Sequence, residues 1–189
     1  MVKKGNVFVF SGPSGVGKGT LLKEILQIMP DIKLSVSATT RTPRSIEVEG
    51  VNYFFTTKEK FTEQIENNEF VEWAEFAGNY YGTYLKTVKD SQKSGNDIVL
   101  EIEVQGAMQI REKIPEAILI FILPPSLDEL EKRLLKRNTE TRESIDRRLS
   151  IVKKELTLLE KFDHNVVNED LNQAVGELIE IINSERQKV

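Results

Sequence analysis

Residues 12–20 read GPSGVGKGT, four glycines in nine positions with Lys18 near the end and a hydroxyl at Thr20. Glycines allow consecutive backbone N–H groups to turn onto one anion, and a lysine just beyond them reaches the outer oxygens of a polyphosphate. The loop Gly12, Pro13, Ser14, Gly15, Val16, Gly17, Lys18, Gly19 and Thr20 is therefore the candidate seat of a nucleoside triphosphate. It departs once from G-x-x-x-x-G-K-[ST]: Gly19 stands where the hydroxyl belongs, and Thr20 brings it one residue later. Positive charge collects in two further places. Arg41 and Arg44 flank Pro43 among threonines, which reads equally as an anion-binding loop or a solvated one. Arg133, Arg137, Arg142, Arg147 and Arg148 crowd a break at 138–141. Phosphoryl transfer between two anions needs charge of this kind, because both partners repel and charge spreads over the transferred group. A hydrolase using water would need one arginine; two basic segments point to two anionic substrates.

The elements that must position these groups follow from patterning. Val7–Phe10 is an unalternating apolar run, as in a strand buried on both faces, and Leu21, Leu22, Ile25 and Leu26 continue into a helix ending at Met29-Pro30. A short strand is expected over 33–37, a hairpin over 46–57 turning at Glu49-Gly50, and a helix over 58–68 with Phe61 and Ile65 inward. Residues 70–76 alternate, placing Phe70, Glu72, Ala74 and Phe76 on one face and Val71, Trp73 and Glu75 on the other. A carboxylate at Glu72, between two aromatics, is an edge slip or is held for a specific donor. Trp73 and Phe76 are expected in the core. A buried strand over 97–103 ends in Glu101 and Glu103 on one side, and another runs from Ala117 to Leu123. Helices are expected from Leu127 and from about Arg142, then a strand near His164–Val167 and a helix from Leu171. The result is an α/β chain: a three-layer P-loop fold with a parallel core sheet, a small mixed β insertion and a short helical lid.

Bulk properties bound the alternatives. The chain has 189 residues, net charge −4 and no cysteine, which gives no global basic field for nucleic acid and no thiolate chemistry. No apolar run approaches a membrane span, and no signal peptide is read, so a cytoplasmic protein is expected. His164, the only histidine, is read as structural.

Five stretches, GPSGVGKGT at 12–20, SATTRTPR at 37–44, EFVEWAEFAGNYYGT at 69–83, LEIEVQGA at 100–107 and RLLKRNTETRESIDRRL at 133–149, together resemble the guanylate kinase family over essentially the whole chain. The resemblance implies one domain, 1–189, with core segments 1–36, 86–136 and 149–189, a GMP-binding insertion at 37–85 and a lid at 137–148. It implies reversible transfer of the ATP γ-phosphoryl to GMP, and to dGMP, with Mg2+ as cofactor, supplying GTP and dGTP and recycling GMP. By position, Lys18 and the loop hold the ATP phosphates. Arg41, Arg44, Tyr53 and Tyr81 match the clamp on the GMP phosphate, and Ser37, Glu72, Thr83 and Glu103 match the guanine readers. Arg133 and Asn168 lie where the family approaches the ATP base; Arg137 and Arg148 match the lid arginines, so Lys18, Arg41, Arg137 and Arg148 are the candidate catalytic set. Thr20 and Glu101 are the candidate metal contacts, direct or through water. ATP and GMP are the implied partners, with neither nucleic acid nor membrane, and the chain would act as a monomer or homodimer. The rival is a catalytically inactive guanylate-kinase-like interaction module, which should lack the loop lysine or the lid arginines; a kinase for another acceptor is disfavoured by Glu72.

Overall fold

The computed structural model describes residues 3–76, 78–135 and 142–188. In chain order its strands are β1 (Val7–Ser11), β2 (Lys33–Leu34), β3 (Ala38–Thr39), β4 (Phe54–Phe55), β5 (Phe70–Phe76), β6 (Asn79–Tyr84), β7 (Ile98–Glu101), β8 (Ile118–Leu123) and β9 (His164–Val167). The helices are α1 (Lys18–Ile28), α2 (Lys58–Glu66), α3 (Leu85–Lys93), α4 (Val104–Lys113), α5 (Leu127–Leu135), α6 (Arg142–Leu156) and α7 (Leu171–Gln187). A parallel sheet has the order β2–β7–β1–β8–β9, and a mixed sheet the order β4–β3–β6–β5. This is the mixed α/β architecture expected from the sequence. The chain forms two compact units: one takes the residues before Phe8, Asp31–Leu100 and Gln105–Ala117, and the other Phe8–Pro30, Glu101–Val104 and the chain from Ile118 onward.

In the second unit β1 and β8 pair in parallel from Phe8↔Ile118 to Ser11↔Phe121, and every residue of β1 is buried. Burial on both faces is why these strands carry apolar runs without alternation. Leu130 and Leu134 of α5 interlock with Ile145 and Val152 of α6. His164 on β9 meets the Glu185 carboxylate of α7 at 2.8 Å, in keeping with its structural reading.

The first unit holds the mixed sheet, and here the structure corrects several expectations. The strand expected over 33–37 stops at Leu34; Ser35 N–H still bonds Val99 O, but Ser37 O already accepts from Phe54 N–H. No hairpin spans 46–57. Asn52 folds back to accept from Val48 N–H, Gly50 turns at φ +72, and β4 pairs in parallel with β3 instead. Ile46, Val48 and Val51 are exposed, so the alternation in that stretch did not record burial. Phe76, expected in the core, is 44% exposed where β5 ends. Helices α3 and α4 occupy segments for which no helix was anticipated.

The correction with most consequence lies in β5. Its pairing with β6 slips between Phe70 and Glu72, a bulge at Val71. One extra residue moves Phe70 across to the face of Trp73, where both pack with Ala38, Phe61, Tyr80 and Tyr84. Glu72 does not share a face with two aromatics; it lies opposite Thr83, and Ala74 opposite Tyr81, on the other side. The aromatic side closes over Gly82, where a Cβ would come within 3.0 Å of both Phe61 Cζ and Phe70 Cδ1 and 3.1 Å of Glu72 O. Gly82→Ala should therefore overpack this layer and lower stability by about 1–3 kcal/mol. Urea unfolding checks it, and an unchanged midpoint would contradict the packing described.

Candidate active site

The phosphate loop leaves β1 after Ser11 and enters α1 at Lys18. Gly12, Gly15 and Gly17 have φ of +138, +91 and +101, and a Cβ on Gly12 would sit 2.3 Å from the Ile122 carbonyl oxygen; the turn is open only to glycine. Helix α1 has no acidic residue in its own first turn and no side-chain cap, so no side chain of the helix itself offsets the positive potential of its N-terminus. Lys18 is only 7% exposed, and its ammonium donates back to the carbonyls of Gly12 and, at 3.3 Å, Pro13. The loop is anchored at the Val16 carbonyl, which accepts from Asn168 Nδ2 at 2.7 Å and from Arg133 Nη1 at 3.4 Å. Arg133 also donates to Asn168 O at 3.1 Å. The two residues expected near the donor base are thus brought together on the loop itself.

Glu101, Glu103 and Glu155 form, with Lys18, a set of charges that act on one another within this unit. A Cβ built on Gly19 would lie 3.6 Å from both oxygens of Glu101, so the position that lacks a hydroxyl faces a carboxylate. Glu101 is exposed along part of its surface, yet partial desolvation raises its pKa; Lys18 opposes that shift and Glu103 adds to it. Glu155, half-buried on α6, is pushed up to about 7, mainly by burial and then by the Glu103 charge, with Lys18 again opposing. Sequence reasoning passed over Glu155. The signal was its place seven residues after Arg148, hence on the same flank of α6. Arg148 is half-buried there, and Arg137 lies outside the described residues. Among the described residues no cluster of three or more His, Cys, Asp or Glu side chains could hold a metal ion by itself, so a divalent cation here would need oxygens from its substrate.

The remaining candidates gather on one face of the mixed sheet. Glu72 is 4% exposed and accepts a 2.6 Å hydrogen bond from the Thr83 hydroxyl directly opposite. Thr39 lies opposite Tyr81 on that side, and alternation along the chain puts Ser37 there too. Tyr53 and Tyr81 stack edge to face at 6.1 Å, with the Arg41 guanidinium 5.5 Å above the Tyr53 ring. Arg41 forms a 2.7 Å ion pair with Glu47, whose other oxygen accepts from Arg44 N–H at 2.8 Å. The pair raises the Arg41 pKa and, with the Arg44 amide, lowers that of Glu47. Glu47 was also missed; it fell within the expected hairpin and was not singled out. Arg41, Arg44, Tyr53 and Tyr81 are thus brought together, as are Glu72 and Thr83, whereas Glu103 belongs with Lys18 and Glu155 in the other unit.

Comparison with known proteins gives the family of the chain. The sequence profile of the guanylate kinase family matches residues 4–185. The guanylate kinase of Clostridioides difficile (strain 630) is 50% identical over 188 residues, covering 100% of this chain and 92% of the relative. That of Prochlorococcus marinus subsp. pastoris is 51% identical over 178 residues, covering 94% and 97%. A crystal structure of guanylate kinase from Anaplasma phagocytophilum superposes with a TM-score of 0.79 at 34% identity, over 98% of this chain and 88% of that one. The chain belongs to the guanylate kinase family, whose function is phosphoryl transfer from ATP to GMP.

Proposed function

We propose that this chain is an active ATP:GMP phosphotransferase, moving the ATP γ-phosphoryl reversibly onto GMP or dGMP to give ADP and the corresponding diphosphate. The observation that best supports the acceptor is the buried Glu72–Thr83 pair. Guanine presents N1–H and N2–H as adjacent donors beside the O6 acceptor, which matches a carboxylate next to hydroxyls at Thr83 and Ser37, with Glu103 as a further acceptor. Adenine reverses that pattern and would leave Glu72 facing an acceptor. Sites matched in this way reject the wrong base by ~10⁴-fold or more.

In this reading Arg41, Arg44, Tyr53 and Tyr81 take the acceptor phosphate, arginine supplying the paired donors that lysine lacks. Lys18 and the loop amides hold the donor phosphates. Arg137 and Arg148 act from the lid on the transferred group, and Arg133 and Asn168 hold the loop beside the donor base. Residues 37–85 are the acceptor-binding insertion and 137–148 the lid of a single domain. Mg2+ brought with ATP would supply neutralisation of the charge on the donor phosphates. Thr20 and Glu101 would hold it directly or through water, and a site of one carboxylate and one hydroxyl suits an ion that keeps most of its waters. Catalysis rests on positioning and charge, and lid closure keeps water from the transferred group. The chain is read as cytoplasmic, where nucleotides are held, and as a monomer or homodimer; no described helix is long and apolar enough to cross a membrane. Lys18 and Arg148, which an inactive interaction module should lack, are both present.

The test is ADP release with ATP and Mg2+ when GMP, AMP, UMP and CMP are offered separately. Turnover confined to GMP is expected; AMP as the better acceptor would overturn the role of Glu72. A second expectation concerns pH. The Glu155 carboxyl binds its proton more tightly in the folded chain, at about 7 against 4.5, so the folded state loses stability as pH rises through that interval. Glu155→Gln should match the parent near pH 4.5 and be more stable at pH 8 by on the order of 2–3 kcal/mol. Equal shifts at both pH values would contradict this.

A further inference from the structure

Strand β5 carries Glu72 at the free edge of the mixed sheet. Edge strands leave N–H and C=O groups without a neighbouring strand, and a bulge such as that at Val71 weakens pairing on the inner side too. Two side chains of α4 take up these groups. Gln109 accepts from Trp73 N–H through Oε1 at 3.2 Å and donates from Nε2 to Trp73 O at 2.7 Å. Lys113, one helical turn on, donates to Phe70 O at 3.2 Å. The carboxamide of Gln109 presents one acceptor and one donor, as the next strand's peptide would. The two α4 contacts flank the bulge, at Phe70 before it and Trp73 after it.

Trp73 is the residue after Glu72. Its N–H lies in the peptide that joins the two residues and its C=O in the next one, so Gln109 holds the backbone on both sides of the Trp73 Cα and, through the first of these planar peptides, the direction in which Glu72 leaves the strand. Sub-ångström aim matters here because the Thr83 bond is short and the carboxylate is 4% exposed; a carboxylate turned away from its donors would remain desolvated without their compensation. No residue of the phosphate loop or of the acceptor-phosphate clamp touches Gln109 in the bonds described. We infer that Gln109 is a positioning residue for guanine recognition, holding the Glu72 segment of β5 from α4 so that the base-reading carboxylate stays in register. This rests on the assignment of Glu72 to the acceptor base.

The experiment uses Gln109→Met, of similar size without either bond, and Gln109→Glu, which keeps only the acceptor. Trp73 is the only tryptophan and adjoins Glu72 in the chain, so its emission is the signal followed when GMP is titrated without turnover. Gln109→Met is expected to raise the GMP KM and the fluorescence-derived GMP Kd by about ten-fold, the loss of two ordinary hydrogen bonds. The ATP KM should stay within about two-fold, the preference for GMP over AMP should narrow, and the Trp73 amide should exchange faster. Gln109→Glu should fall between Met and the parent. A purely structural role would lower thermal stability but leave the GMP-to-ATP split and the base preference intact, and that result would overturn the inference. So would an unchanged GMP Kd in either folded variant. A parent enzyme that does not turn over GMP would instead overturn the acceptor assignment, a result distinct from a normal parent with unaltered variants.

Discussion

The cost of keeping a carboxylate out of water governs the unit that holds the mixed sheet. Glu72 is buried on a sheet face, and such a group is tolerated only where donors meet it. Thr83 supplies one, set directly across the β5–β6 ladder. The rest of the arrangement serves that placement. The bulge at Val71 sends Phe70 to the aromatic side, so that Phe61, Phe70 and Tyr84 stack away from Glu72. Gly82 lets those rings approach the sheet, and the α4 side chains stabilise the exposed edge of the bulged strand. Opposite faces of four strands are therefore built differently: one packs aromatic rings, and the other carries the buried carboxylate and its hydroxyl partner.

The phosphate-loop unit solves a different electrostatic problem. An anion-binding loop concentrates N–H groups and a lysine in a buried place, and these must be held before any phosphate arrives. Lys18 bonds the loop's own carbonyls, while Asn168 and Arg133 converge on Val16 from later elements. Glu101 faces Gly19, where the commoner loop sequence has a hydroxyl. The absent side chain leaves that carboxylate room; Glu103 acts on both Glu101 and Glu155, and Lys18 opposes the rise in pKa at each. In the mixed-sheet unit Glu47 plays a comparable part, neutralising Arg41 with an internal carboxylate.

How much was legible in the sequence depended on whether the deciding interaction was local. The glycine loop, the buried runs of β1 and β8, and the bounds of β5 and β9 follow from neighbouring residues and were read correctly. The bulge is set by pairing with Thr83 and Tyr84 on the next strand, so strict alternation put Phe70 on the wrong face. The expected hairpin failed because Ile46, Val48 and Val51 are apolar yet exposed, while β4 found a parallel partner in β3. Helix α3 shows only Leu85 and Val88 as apolar residues, too few for a period to register. Gln109, Glu47 and Glu155 carry no motif. Each is an ordinary polar side chain until the fold shows what it meets.

The central claim is that the buried carboxylate at Glu72 reads the guanine edge, and calorimetric titration of GMP against IMP tests it most directly. The two differ by the exocyclic 2-amino group, one of the donors assigned to the acidic side of the site. A hydrogen bond to a charged acceptor is worth about 1.5–3 kcal/mol, so IMP should bind more weakly by roughly 10- to 150-fold. Equal affinities for GMP and IMP would contradict the account.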